Sequence, residues 1–411
     1  MRILMLTQRL PYAPNRGDRI RAYHMLRKLQ QQGDVDLVSL VHDEEEASHV
    51  KDMRSWVSSV TALPVSRMRS YASAAFALPT RIPLTHAMLD APGIRSALRA
   101  LCDRQPPDVV FAYCSSMARF AMQAPLDQFP MVLDFVDVDS RKWRDMAGAT
   151  PQPLSWIYRR EASTLGAFEA RAARHAATAL VVNEREAQNA RALAEDANIQ
   201  ILPNGVELER LRPPTSPSSQ PRVVFCGVMN YAPNSEGMTW FVENVWPLVR
   251  AERPDATLAV VGPDPSPAFR GLCARDLSIT VTGWVPDVRE WLWDSALAIA
   301  PLHVARGVQN KALEAIAAGL PIVITDAVAG GLPPQAMPAS RIANTAVDFA
   351  AHVIRLLAMS PAVRRGIAES SDLGELTWAR TLAPLVSILE RAASTETRLQ
   401  SAVAKIAWRS A

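Results

Sequence analysis

Short runs of continuously apolar residues alternate with helix-length stretches along almost the whole chain. One series is Ile3–Thr7, Val35–Val41, Val60–Val65, Val109–Tyr113, Met131–Val136, Ala179–Asn183 and Ile199–Leu202. A second is Val223–Cys226, Ala256–Val261, Ser278–Thr282, Ala296–Ala300 and Pro321–Thr325. Most lack the in–out alternation of a half-exposed strand. Unbroken apolarity is what a parallel strand shows when helices cover both of its faces. Strand–helix alternation of this kind predicts doubly wound α/β sheets.

Between the two series lies ERLRPPTSPSSQPR, Glu209 to Arg222, with four prolines, three serines and no apolar period. That is linker composition. The expected organisation is an N-terminal domain at 1–208, a linker at 209–221 and a second domain at 222–377. Only helices are expected after the second series. Asp348–Leu357 is one, and Trp378–Ala393 another, with an apolar stripe of Trp378, Leu382, Leu385, Val386 and Leu389. The amphipathic end TETRLQSAVAKIAWRSA reads as a frayed terminus.

Composition narrows the class. The 411 residues suit about two to three domains. With 49% hydrophobic and 21% charged residues, the chain can bury sizeable cores and is not disordered. A net charge of +3 is too weak to imply a nucleic-acid partner. Cys102, Cys114, Cys226 and Cys273 are scattered without a CxxC pair, so they read as reduced thiols of a cytosolic protein. The opening MRILMLTQ is too short an apolar run for a signal peptide, and no stretch approaches the ~20 apolar residues of a membrane span. The expectation is a cytoplasmic chain that could touch the inner face of a membrane.

Candidate chemistry concentrates in GVQNKALEAIAAGLPIVIT, Gly307 to Thr325. Ligands of open α/β sheets sit outside the carboxyl ends of the strands. Gly307 follows one such strand and lets backbone approach a ligand. A helix starting near Val308 would point free amides and its positive dipole end at an anion. Lys311 and Glu314 are the only charges on this helix and neighbour each other at i,i+3, off a core stripe of Leu313, Ile316, Ala317 and Leu320. An exposed ion pair worth a few tenths of a kcal/mol is the plain alternative. A lysine with helix amides suits a diphosphate, and a carboxylate one turn deeper suits ribose hydroxyls.

That stretch resembles the donor-site signature of the family 4 GT-B glycosyltransferases. VVFCGVMNYAPNSEGMTWFVENVWPLV, AVVGPDP and VTGWVPDVREWLWDSALAIAPL agree in order and spacing, as do ALVVNEREAQ and ILPNGVELERLRP in the first half. LPYAPNRGDRIRAYHMLRKL and DFVDVDSRKW look more narrowly like the exosortase-associated sugar transferases of exopolysaccharide loci. The resemblance implies a GT-B fold: two Rossmann-like doubly wound domains facing a cleft, with the C-terminal helix 378–411 crossing back to the N-terminal domain. It implies that Lys311 meets the donor diphosphate and Glu314 the nucleotide ribose. Gly283, Trp284 and Val285 would border the base, and Gly227, Gly262, Gly307 and Val308 would bring backbone close to the donor. Tight turns at the glycines and a core position for Trp284 are the alternatives.

Two departures from the family pattern stand out. The acidic residue the family carries eight positions before its ribose glutamate is Arg306 here; an arginine can grip a diphosphate but cannot accept sugar hydroxyls. The basic residue usual early in the second domain is replaced by Asn230 and Asn234, the latter also readable as a helix N-cap.

In the first half, Gly17 lies in the loop that in the family faces donor phosphates and acceptor. Asp18 is a natural N-cap, and Arg16 and Arg19 could meet anionic groups. Asp137 and Asp139 form a DxD pair at a strand's carboxyl end. As a metal signal it belongs to another fold and is discounted; Asp137 faces the acceptor in this reading, and Asp139 or Ser140 caps the next helix. Where the family places a histidine, this chain has Tyr113 and Cys114, so no general base is assigned, and Asp137 and Arg306 are the catalytic candidates. Between Arg54 and Arg104, seven arginines face only two aspartates. That surface could rest on anionic lipid, although a solvated helix face is the slightly favoured reading.

The expected activity is transfer of a hexosyl-type sugar from a nucleotide diphosphate sugar to a saccharide or lipid-linked saccharide. Retention is expected, with no metal or cofactor and no nucleic acid. The rivals are a nucleotide-sugar epimerase of GT-B build and a non-catalytic sugar-nucleotide-binding partner of a polysaccharide assembly. A dehydrogenase is disfavoured, because no GxGxxG follows the first strand of either half.

Overall fold

The computed structural model describes residues 1–13, 17–213, 216–305 and 307–394. They divide into two compact units, one of residues 1–203 with the segment from Leu382 onward, the other of residues 204–381.

The first unit is built on seven strands: β1 (Arg2–Thr7), β2 (Asp34–Val41), β3 (Ser59–Pro64), β4 (Val109–Tyr113), β5 (Met131–Val136), β6 (Thr178–Val181) and β7 (Ile199–Ile201). Their order is β3-β2-β1-β4-β5-β6-β7, with every neighbouring pair parallel. The second unit has β8 (Arg222–Cys226), β9 (Thr257–Val261), β10 (Ile279–Gly283), β11 (Leu297–Ala300), β12 (Ile322–Ile324) and β13 (Ser340–Ile342). Their order is β10-β9-β8-β11-β12-β13, again all parallel.

The continuous apolar runs are the strands because helices bury both sheet faces. Every residue of β4 and β11 is buried. Each fully buried Val, Leu or Ile contributes about 1.5–3 kcal/mol relative to exposure. The one polar residue in the middle of β5, Asp134, is matched by Arg21 on the helix Gly17–Leu29, whose Nε donates to Asp134 Oδ2 at 2.8 Å with both side chains buried.

Three details depart from the sequence reading. Strand β13 was not expected, since three residues with a central arginine give no apolar run. The expected helix Trp378–Ala393 is interrupted: Trp378–Thr381 closes in the second unit, and a helix over 383–394 belongs to the first. Pro384 explains the break, having no N–H for the carbonyl of Arg380. The proline-rich stretch is tied to the second unit, with Trp293 Nε1 donating to Leu211 O at 2.7 Å and an Arg364 nitrogen donating to Ser218 O at 3.1 Å.

Candidate functional site

Strands β8 and β11 are spatial neighbours but not sequence neighbours, so the second sheet reverses its winding between them. Loops diverge there, and the carboxyl ends of the strands leave a crevice for ligand. Three strand ends on that side are bare backbone. Gly227 N–H donates to Val261 O at 2.9 Å, and Gly262 N–H donates to Gly283 O at 3.1 Å. Gly262 sits at φ +147°, and a Cβ there would lie 1.9 Å from Gly227 O, so only glycine fits.

On the other side of the switch point, Gly307 at φ +58° leads into the helix Asn310–Ala317. The helix starts at Asn310 rather than near Val308, which packs against the core instead. Its cap residue, Gln309, gives no side-chain capping hydrogen bond to the first turn. Asn310 Oδ1 accepts from Asn204 Nδ2 at 3.0 Å, which fixes the helix start to the segment following the last strand of the first half. Ala312, Leu313, Ala315 and Ile316 are buried, whereas Lys311 and Glu314 keep part of their surface open.

Lys311 Nζ donates to Asn234 Oδ1 at 2.5 Å and lies 4.6 Å from the Phe225 ring centroid. Asn234 Nδ2 donates to Val228 O at 2.8 Å, so the amide is held from both ends. Asn234 is therefore no N-cap; the helix Ala232–Trp240 begins before it with Tyr231 as cap. Gly227 completes the nest: an added Cβ would sit 2.9 Å from Asn234 Nδ2 and 3.1 Å from Lys311 Nζ. Burial pushes the Lys311 ammonium down to about 8, with Cys226 and Glu314 opposing that shift. Burial likewise raises the Glu314 carboxyl; Lys311 lowers it and Glu207 raises it. Among the described residues the Glu314 carboxylate accepts no hydrogen bond and joins no ion pair. A half-buried ammonium with hydrogens to spare and an unsatisfied carboxylate one turn deeper can bind an anion and hydroxyl groups respectively.

Trp284 is 69% exposed, which removes its reading as a core residue; Val285 beside it is half-buried. The ends of β8 and β9 also border an open groove of about 630 Å³ lined by Met229, Asn230, Ser235, Glu236, Asp264 and Ser266. Asn230 Nδ2 donates to Asp264 Oδ2 at 2.8 Å within it. Arg306 falls outside the described residues.

In the first unit, Arg16 also falls outside the described residues. Gly17 opens the helix Gly17–Leu29, so Asp18 lies inside the helix rather than before it. Arg19 is buried, and its guanidinium donates to Glu46 Oε1 at 2.7 Å. Asp139 is the first residue of the helix Asp139–Ala149 and neither it nor Ser140 caps that helix; Ser140 N–H instead points at the Glu169 carboxylate, 3.3 Å from both oxygens. Burial, with Glu186 and Asp139 nearby, pushes Asp137 up to about 7. Its Oδ1 is buried with no hydrogen-bond partner among the described residues. Asp139 is raised by burial and by Glu186, against the pull of Lys142. Burial and Asp139 push Glu169 up to about 8.

Two family profiles match the sequence. "Glycosyl transferase 4-like domain" covers residues 16–205 and "Glycosyl transferases group 1" covers residues 220–359. No curated protein matches. The structure is similar to sucrose-phosphate synthase from Thermosynechococcus elongatus, with a TM-score of 0.66 and 16% identity over 99% of this chain and 100% of that one. It is similar to Anabaena HepE solved with UDP and glucose, at TM-score 0.62 and 14% identity over 97% and 100% of the two chains. It is also similar to WaaG, a glycosyltransferase of lipopolysaccharide biosynthesis, at TM-score 0.60 and 16% identity over 97% and 100%.

Proposed function

The chain is a glycosyltransferase of the group 1 type with the GT-B fold, and from that premise we propose that it moves a sugar from a nucleotide diphosphate sugar to a saccharide or lipid-linked saccharide in exopolysaccharide synthesis, with retention at the anomeric carbon. The observation that carries the donor half is the pairing of Lys311, held by Asn234, with the unsatisfied Glu314 one turn deeper on the same helix. Lys311 and the first amides of the helix Asn310–Ala317 take the diphosphate, and Glu314 takes the ribose hydroxyls. The charge that develops on the departing diphosphate meets an ammonium already in place, which costs no reorganisation at the moment of transfer. Structural neighbours solved with UDP and with UDP-glucose support this class of donor.

Gly283, Trp284 and Val285 border the base, and Gly227, Gly262, Gly307 and Val308 bring backbone to the donor. Arg306 adds positive charge near the diphosphate in place of a sugar-binding carboxylate. On the first unit, the segment around Gly17 and Arg16, with Asp137 and Asp139, is assigned to the acceptor side. Asp137, with its elevated pKa and a buried Oδ1 that has no hydrogen-bond partner among the described residues, is the candidate to exchange a proton with an acceptor hydroxyl near neutral pH. Proton transfer assisted by the donor phosphate requires no stronger base, and no metal ion is assigned.

The test is a turnover assay across nucleotide diphosphate sugars, with and without a membrane-lipid extract as acceptor. Label entering the lipid fraction only when extract is present supports the proposal. An epimerised nucleotide sugar formed without extract contradicts it and favours the epimerase reading.

A further inference from the structure

The helix Arg67–Ala77 in the first unit is packed inside out. At about 100° per residue, Tyr71, Ala75, Met68, Ala72 and Phe76 follow one another across an arc of about 140°, with Arg67 and Arg69 at its two edges. Met68 is 85% exposed, Phe76 83% and Tyr71 69%. The face turned to the protein carries the buried Ser70 and Ala77, and Ser70 Oγ donates to Met88 O at 2.6 Å. A helix that only packs on its own domain shows the opposite arrangement, with large apolar residues inward.

The same surface continues past the helix. Ile82 is 52% exposed beside the exposed Arg81. Arg160 pins this segment, donating to Ala77 O at 2.8 Å and to Ile82 O at 2.8 Å. Trp156, one turn earlier on the same helix face as Arg160, is 55% exposed. Clustered exposed apolar groups of this size mark an interaction surface. Over Arg54–Arg104 seven arginines stand against two aspartates. A second copy of the chain would set like charge against like charge here. A sheet of anionic headgroups over an apolar interior matches both the arginine edges and the apolar centre.

We propose that this surface docks the protein on an anionic bilayer. The helix Arg67–Ala77 lies in the plane of the interface, with Met68, Tyr71 and Phe76 at the acyl boundary and Arg67, Arg69 and Arg81 on lipid phosphates. Among the described residues no single helix is long and apolar enough to cross a membrane, so the docking is peripheral. The inference draws its purpose from a lipid-linked acceptor, but the surface and the donor site can be tested apart.

The experiment is co-sedimentation of the full chain with phosphatidylcholine vesicles, with and without phosphatidylglycerol, for wild type, Met68→Ser/Tyr71→Ser/Phe76→Ser and Arg67→Gln/Arg69→Gln/Arg81→Gln. Wild type should bind the anionic vesicles, and binding should weaken as salt rises. The apolar triple variant should lose about tenfold or more in partitioning. The arginine variant should lose the preference for anionic vesicles. Both variants should melt like wild type, since the changed residues are exposed, and should keep the nucleotide-induced rise in melting temperature. No binding of wild type at low salt overturns the proposal, as does equal binding by the apolar variant. Self-association of wild type that the apolar variant abolishes also overturns it, in favour of a protein interface. Loss of nucleotide response in wild type would strike the donor reading and leave this surface standing.

Discussion

Lys311 and Asn234 hold each other in place: the ammonium donates to Oδ1 at 2.5 Å, and the other end of the amide is anchored on Val228 O at 2.8 Å. The contact thereby ties the helix that follows β11 to the segment that follows β8, the two neighbouring strands between which the sheet reverses its winding. Asn234 acts through Lys311, so its removal should loosen the cation without removing the charge. Asn234→Ala should raise the Kd for a nucleoside diphosphate about tenfold, the worth of one charge-assisted hydrogen bond. Asn234→Gln should not restore it. Isothermal titration checks this; unchanged affinity in Asn234→Ala would remove the positioning role.

Trp284 stands exposed beside Gly283 at the carboxyl end of β10. If it stacks on the base, Trp284→Ala should weaken nucleoside diphosphate binding about tenfold, while inorganic pyrophosphate binds as before. Equal loss for both ligands would show a general disturbance instead.

The pH dependence follows from Lys311, whose ammonium lies at about 8 instead of 10.5. Above about 8 the folded protein loses this charge while the unfolded chain keeps it up to about 10.5, so the free protein gains stability from this group as pH rises through that window. Nucleotide affinity should move the opposite way, falling above about pH 8. The fall should vanish in Lys311→Met. An identical profile in that variant would assign the titration elsewhere.

Glu169 and Asp137 give the reverse sign. Their folded pKa values, about 8 and about 7, lie above the ordinary 4.5 and 3.8. The folded state therefore holds protons that the unfolded chain releases, and this contribution to stability is present at low pH and lost as pH rises from about 4 through about 8. Glu169→Gln should make the decline of Tm across that range shallower. A slope equal to wild type would mean that Glu169 is ionised in the fold.

The strands were legible because parallel strands covered on both faces must be apolar throughout, as Val109–Tyr113 and Leu297–Ala300 are. Strand β13 was not, because Ser340–Ile342 borrows its strand character from pairing with β12. Lys311 and Glu314 could be picked out since charge on an otherwise apolar helix near a strand end has few local explanations. The partner of Lys311 could not. Asn234 lies 77 residues away in sequence, and the nearest local account, a helix cap, was available and wrong. The caps proposed for Asp139 and Ser140 failed in a similar way: Glu169, 29 residues on in the next helix Leu154–His175, takes the Ser140 amide. The outward apolar face of Arg67–Ala77 was hidden because periodicity shows that a face exists, not which way it points.

The most direct test of the account is a thermal-shift series with nucleoside diphosphates on wild type, Lys311→Ala and Glu314→Ala. A ligand that binds only the folded state at about a hundredfold its Kd stabilises by about 2.7 kcal/mol. Wild type should therefore melt several degrees higher with at least one nucleoside diphosphate. Lys311→Ala should lose that response for nucleoside diphosphate and pyrophosphate alike, and Glu314→Ala only for the nucleoside form, while both variants without ligand melt close to wild type. Full responses in both variants would contradict the assignment of the diphosphate to Lys311 and the ribose to Glu314.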